Sequence, residues 1–246
     1  MAPEISWHRG GGELAPLATL QAFGRAARRG AEWIEVDLRR TADGALVCVH
    51  DAELPGVGAV AARPLRDLRP AYAAMPTLDE LLDALDEAEA ERAGLGLSAG
   101  RAGLHLDVKV HGPEADAIEA ITARKRPLFV TSSLDASVLA VRDIAPDLDA
   151  LLTIGASSDA AVGSMIARRG SELWPFRRLA ACRATGVASH HLLATPLLRR
   201  WCAEHDMKLL VWTVDSRRAQ RRWLRRPELA FLTTNRPLAA LALRDG

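Results

Sequence analysis

Cysteine is scarce in this chain. The 246 residues hold three, at positions 48, 182 and 202. A dispersed, odd-numbered set of thiols does not build a disulfide framework, and the spacing matches no zinc site, so a reducing compartment is expected. No apolar run approaches the roughly 18 residues of a membrane span. The opening MAPEISWHRG has no apolar signal region, which makes the cytoplasm the expected location. Net charge is almost absent: 32 basic residues face 31 acidic ones. No global field therefore draws the protein to nucleic acid or to an anionic bilayer, and the arginine cluster at 217–226 is expected to be a solvated helix face. Internal repeats and low-complexity tails are missing. No glycine-rich dinucleotide fingerprint follows the first β-like run.

Hydrophobic residues make up 49% of the chain, enough for a large core. The length suits one α/β barrel, which typically takes about 250 residues. Short β-like runs alternate with helical patterns. Strands are expected at Ile5–Trp7, Trp33–Leu38, Leu104–Val110, Leu128–Thr131, Leu151–Ile154, Gly186–Ser189, Leu209–Thr213 and Phe231–Thr233. Helices are expected at Pro16–Arg29, from Thr77 to about Ala93, and at Pro113–Ala123, Asp135–Ile144, Ser158–Arg168, Thr195–Glu204, Ser216–Leu224 and Pro237–Leu243. Thr77 with Glu80 forms a capping box, and Pro196 suits a first helical turn. Eight strands alternating with helices predict a closed TIM-like (β/α)8 barrel forming a single domain over 1–246. A short β-hairpin and irregular insertion is expected after strand 2, with Leu46–His50 folding back and 52–76 irregular.

The segment Trp33–Asp51, WIEVDLRRTADGALVCVHD, is the most informative. Asp43-Gly44 is a strong turn signal between apolar arms. Glu35 and Asp37 are two residues apart on one strand, so they share a face. A turn centred on Ala42–Asp43 sets Glu35 opposite His50. One centred on Asp43–Gly44 sets Asp37 there, and cross-strand neighbours sit only about 5 Å apart. An amphipathic strand showing both acids to solvent is the competing explanation.

Barrel active sites lie at the C-terminal ends of the strands, and the polar residues gather there. The first strand ends in His8-Arg9 and the second carries Glu35 and Asp37. The third carries His105, Asp107 and Lys109, the seventh runs into Trp212-Thr213-Val214-Asp215, and the eighth into Thr233-Thr234-Asn235-Arg236. Glu35, Asp37 and Asp107 are hard oxygen donors suited to Mg²⁺ or Ca²⁺. Arg9 and Lys109 suit a phosphate. His8 and His50 can act as general acid and base. A metal, a phosphate clamp and two imidazoles together indicate phosphate-ester chemistry.

These blocks resemble the glycerophosphodiester phosphodiesterase family. The likeness runs in order through His8-Arg9-Gly10, Gly30 to Asp37, Thr41-Ala42-Asp43-Gly44, Val47 to Asp51, Leu106-Asp107-Val108-Lys109, Trp212 to Asp215 and Thr233 to Pro237. The resemblance implies a TIM-like barrel that uses a divalent metal, Mg²⁺ or Ca²⁺, to hydrolyse glycerophosphodiesters to glycerol 3-phosphate and an alcohol. It puts His8 and His50 at the catalytic positions, Glu35, Asp37 and Asp107 at the metal ligands, and Arg9 and Lys109 at phosphate contacts. It puts Trp212 on the pocket wall. The implied partner is a small-molecule substrate, with no nucleic acid and no membrane span.

Three departures stand out. Pro16-Leu17-Ala18-Thr19 replaces the family's Pro-Glu-Asn-Thr, Asp107 stands where a glutamate is usual, and the segment after His50 is short. His8 is the expected base and His50 the expected acid. A catalytically impaired binding protein on the same barrel, or a lysophospholipase D-type activity with an apolar groove near 52–76, are the alternative readings.

Overall fold

The computed structural model describes residues 2–13, 15–72, 75–97, 100–155 and 174–246. Eight parallel strands close into a barrel: β1 (Glu4–Trp7), β2 (Trp33–Arg40), β6 (Gly103–Val108), β7 (Leu128–Ser132), β8 (Ala150–Ile154), β9 (Gly186–His190), β10 (Lys208–Trp212) and β11 (Leu229–Thr234). Closure comes from β1, which pairs with β2 on one side and β11 on the other. Helices connect the strands on the outside, which is the expected alternation.

Each barrel strand is buried on both faces, so its residue alternation sorts two cores rather than core from solvent. On β1 and β2, Ile5, Trp7, Ile34, Val36 and Leu38 belong to the large apolar cluster that also takes in the buried faces of the helices. Trp33, Phe129 and Phe231 belong to a separate aromatic layer, with ring centroids 4.5–5.8 Å apart. With Leu151, Ala188 and Leu210 this layer plugs the barrel, and the site stands on it.

Four of the described helices start at a capping side chain. Thr77 and Glu80 form the reciprocal capping box. Thr195 and Ser216 each accept a backbone N–H at the head of their helices. The first helix spans Leu20–Arg28, beginning four residues later than expected. Ala18 takes a left-handed backbone at φ 59°, which no helix tolerates, and Thr19 then caps through Ala22 N–H at 3.1 Å. A helix at Phe176–Ala181 has no counterpart in the expected pattern, because its six residues are too few to show a period. The expected helix Ser158–Arg168 lies outside the described residues.

The hairpin register differs from both expectations. β3 (Leu46–Cys48) pairs with β2 as Leu38↔Cys48 and Arg40↔Leu46. Continued, that register sets Val36, not Glu35 or Asp37, opposite His50. The loop holds three residues rather than two: Thr41 N–H donates to Ala45 O at 3.0 Å, the Thr41 hydroxyl bonds Asp43 and Ala45, and Gly44 takes φ 87°. This is the three-residue hairpin with a left-handed glycine. The ladder ends at Cys48, whose N–H turns to Pro76 O. His50 therefore reaches the site from a loop.

The segment 52–76 is more ordered than expected. It holds a two-stranded ladder of β4 (Glu53–Leu54) and β5 (Gly58–Ala59), a 3₁₀ turn at Val60–Ala62 and one helical turn at Leu65–Leu68. Val47, Leu54, Val60, Leu68 and Met75 form a small core of their own beneath it.

Candidate active site

The chain leaves β1 in a tight turn. Arg9 is left-handed at φ 50° and Gly10 follows at φ 84°. A Cβ on Gly10 would lie 2.8 Å from the Ala22 backbone, so this position requires glycine. The turn swings His8 and Arg9 over the mouth of the barrel, where the Arg9 N–H donates to Glu35 Oε2 at 2.9 Å.

The acids meet through parallel pairing. β2 and β6 align Glu35 with His105 and Asp37 with Asp107. One oxygen each from Glu35, Asp37 and Asp107 lies within 4.8 Å of the others. Asp37 is ion-paired to Arg9 Nε at 2.7 Å and to Lys109 Nζ at 2.9 Å, and Lys109 also reaches Asp107 at 2.5 Å. Burial alone would lift the Asp37 pKa, but Lys109 and Arg9 overcome it and hold the carboxyl below its ordinary value. Burial likewise opposes the charge on Lys109, and Asp107 and Asp37 more than restore it. Glu35 has the opposite balance: burial, then repulsion from Asp37 and Asp107, pushes its pKa well up. Three carboxylates against two cations leave the cluster short of positive charge, and Glu35 registers the deficit. Oxygens within 4.8 Å also suit the shell of a hard cation, whose metal–oxygen distances are about 2.0–2.6 Å. The donor set fits Mg²⁺ or Ca²⁺.

His8 is held from behind. Its Nδ1 lies 2.6 Å from Asn235 Oδ1. Asn235 is fixed in turn, its side-chain NH₂ donating to Asp215 Oδ2 at 2.7 Å and its backbone N–H to Asp215 Oδ1 at 2.8 Å. A carboxylate only accepts, so the amide must turn its nitrogen to Asp215 and its oxygen to His8. His8 Nδ1 therefore carries the proton, and Nε2, 3.9 Å from Glu35 Oε2, keeps the lone pair. Burial lowers the His8 pKa more than the Asn235 bond raises it, which favours the neutral ring.

His50 lines the same cavity. It is more open to solvent, and Nδ1 lies 2.8 Å from Asp51 Oδ1. Arg39 Nε donates to the His50 carbonyl at 2.8 Å and steadies the loop. His105 sits deeper, between Ser6 Oγ and Thr131 Oγ1 at 2.9 Å each, stacked on Phe129 with centroids 4.4 Å apart. Burial drives its pKa to about 3, so it is a neutral structural link below the acids. Trp212 forms part of the far wall, its ring 5.3 Å from His190.

All eight expected residues, His8, Arg9, Glu35, Asp37, His50, Asp107, Lys109 and Trp212, line one cavity of about 430 Å³. Sequence reasoning assigned no role to Asn235 or Asp215, although both stand in blocks it singled out. The hydrogen bonds that give them one join the seventh and eighth barrel strands to the first, a contact without a local signal.

A family model described as the glycerophosphoryl diester phosphodiesterase family matches residues 8–239. "Probable glycerophosphodiester phosphodiesterase 2" of Mycobacterium tuberculosis is 31% identical over 188 residues, covering 68% of this chain and 63% of its own length. The chain thus spans less than two thirds of that relative. A phosphodiesterase from Oleispira antarctica, solved with the product sn-glycerol-3-phosphate, superposes with a TM-score of 0.75 at 20% identity, covering 100% of this chain and 98% of that one. A glycerophosphodiester phosphodiesterase from Parabacteroides distasonis gives 0.75 at 20% identity over 99% and 97%. At that identity these structures establish the shared barrel fold.

Proposed function

The chain belongs to the glycerophosphoryl diester phosphodiesterase family, and on that footing we propose that it hydrolyses glycerophosphodiesters to glycerol 3-phosphate and an alcohol, with a divalent cation and two histidines. The observation that carries this reading is the convergence of the Glu35, Asp37 and Asp107 oxygens within 4.8 Å beside His8 Nε2 and the Arg9–Lys109 pair. A phosphodiester adds one more negative charge to a cluster already short of cations.

Glu35, Asp37 and Asp107 would hold the cation, which would supply Lewis-acid polarisation and charge neutralisation. Arg9 and Lys109 offset charge that develops on the phosphoryl oxygens. His8 Nε2 takes the proton of the attacker, which is either water or the substrate's neighbouring hydroxyl, the latter giving a cyclic phosphate that water then opens to glycerol 3-phosphate; Asn235 keeps Nδ1–H in place as it does so. His50 protonates the leaving alkoxide, and Asp51 orients its ring. Each histidine should contribute about 10²–10⁴-fold.

The larger apolar side chains described in 52–76 argue against a lysophospholipase D-type activity. Leu54, Val60, Leu68 and Met75 pack on one another and on Val47, and none of these five lines the cavity.

A panel of glycerophosphocholine, glycerophosphoethanolamine and glycerophosphoglycerol against Mg²⁺, Ca²⁺ and EDTA tests the proposal. Turnover should appear with metal, vanish in EDTA and fall at least about 10²-fold in His8→Ala and in His50→Ala. Near-normal turnover in both variants would overturn the roles assigned. Stabilisation by ligand with no turnover under any metal would assign the chain to the non-catalytic alternative.

A further inference from the structure

The barrel has two chemically distinct walls. The acids, cations and His8 sit on β1, β2, β6 and the turns that follow them. The strand order places β9 across the barrel from β2, and the arc from β7 to β11 lines the cavity with Thr131, Thr153, Ala188, Leu210, Trp212 and Thr233. Among the described residues that arc brings no charged side chain to the cavity.

Among the described residues, three polar atoms on this wall find no hydrogen-bond partner: Thr153 Oγ1, Thr233 Oγ1 and Trp212 Nε1. Thr153 is 7% exposed and Thr233 2%. Neighbouring hydroxyls at similar depth are all engaged. Thr131 and Ser6 bond His105, Ser132 bonds the Val108 carbonyl, and Thr234 accepts from Gln220. Buried polar groups are rarely left unpaired, and a cluster of three around one cavity indicates ligand atoms that complete them. Ala188 lies level with Thr153 on one side and Leu210 on the other. Its methyl group leaves room between the taller walls.

We infer that this wall is a hydroxyl-reading subsite, which takes a small polyol unit of the substrate. Two hydroxyls that can donate or accept, plus one indole N–H donor, match a group carrying adjacent OH functions. They bring no formal counter-charge to a trimethylammonium group. The polyol is either the glycerol unit common to all these diesters or a polyol head group. A substrate lacking its hydroxyl leaves the buried partners unpaired, so discrimination is on the order of tenfold per lost contact. The inference rests on the proposed function.

The test compares kcat/KM for four diesters in wild type, Thr153→Val, Thr233→Val and Thr153→Ser. These are glycerophosphoglycerol, glycerophosphoethanol, and the two analogues whose glycerol 3-phosphate unit is replaced by 2-hydroxypropyl phosphate. Wild type should prefer each glycerol compound to its deoxy analogue by about tenfold or more. The valine variants should bring that ratio towards one, and serine should retain it. If the head group is the occupant, the valine variants instead lose the preference for glycerophosphoglycerol over glycerophosphoethanol. Equal losses on all four diesters, or changes under about twofold, overturn the subsite. Bis(p-nitrophenyl) phosphate, which has no hydroxyls, separates this failure from that of the parent reading: its hydrolysis with metal shows that the diesterase stands. If no diester is turned over, calorimetric Kd values for glycerol 3-phosphate and 2-hydroxypropyl phosphate in wild type and Thr153→Val decide the subsite alone, equal affinities in both proteins overturning it.

Discussion

Asn235 Oδ1 lies 2.6 Å from His8 Nδ1, so the residue that follows the last barrel strand sets the proton position on the residue that follows the first. Asp215 makes the arrangement one-sided, because its carboxylate can only receive the Asn235 NH₂. Asp215→Asn frees the Asn235 amide to rotate and stabilise the wrong His8 tautomer. The expected result is a fall in kcat on the order of 10²-fold with a smaller change in KM. Steady-state kinetics read this directly, and parameters within twofold of wild type would dismiss the relay.

The pH profile follows from the same ring. Burial, the leading influence, lowers the His8 pKa, and a base works only when deprotonated. The acid limb of kcat/KM should therefore fall below about pH 6.5, the ordinary histidine value. A bound divalent cation moves it further in the same direction. A limb that titrates above pH 7 would exclude His8 as the base.

Asp37 is the acid most tightly tied, to Arg9 and Lys109 at once. Its removal frees Arg9, leaves Lys109 paired with Asp107 alone and deletes a proposed metal donor. Asp37→Ala should weaken Ca²⁺ or Mg²⁺ binding at least about tenfold in calorimetry and lower activity on the order of 10²–10³-fold. Full metal affinity in this variant would move the ion elsewhere.

Two backbone positions near the site should respond in opposite directions. Gly10→Ala puts a Cβ 2.8 Å from the Ala22 backbone at φ 84° and should cost about 2–4 kcal/mol. Ala18 already carries a Cβ at φ 59°, so Ala18→Gly should gain about 0.5–1 kcal/mol. Urea unfolding midpoints of the two variants against wild type check both.

His105 makes the fold acid-sensitive. Its folded pKa is lowered by burial to about 3, whereas the unfolded ring takes a proton below about 6.5. A lowered histidine pKa means that the unfolded chain binds the extra proton first, so stability is lost as pH falls from about 6.5 towards 3. Between pH 7 and pH 5 that amounts to about 2 kcal/mol. Urea unfolding in EDTA should show His105→Gln lacking this increment, so the stability gap between wild type and variant narrows by that amount at pH 5. A gap independent of pH would show that the ring titrates normally.

The alternation of strands and helices, the Thr77–Glu80 capping box and the shared face of Glu35 and Asp37 were legible in the sequence, because each rests on spacing within a few residues. The hairpin register was not. Two-residue and three-residue loops share the Asp-Gly signal, and the choice depended on Thr41 bonding across to Ala45. Ala18 hid the true start of the first helix, since nothing in alanine itself announces a left-handed backbone.

The sequence by itself determined that acids, one imidazole and cations stand at strand ends of a closed barrel, because period and punctuation are local properties of the chain. Only the tertiary structure decided which of them touch. The parallel register aligning Asp37 with Asp107, the Asp215–Asn235 support behind His8 and the unpaired hydroxyls facing the acids all join elements far apart in sequence. Such contacts are set by barrel closure and packing, which leave no trace in the spacing of residues along a strand.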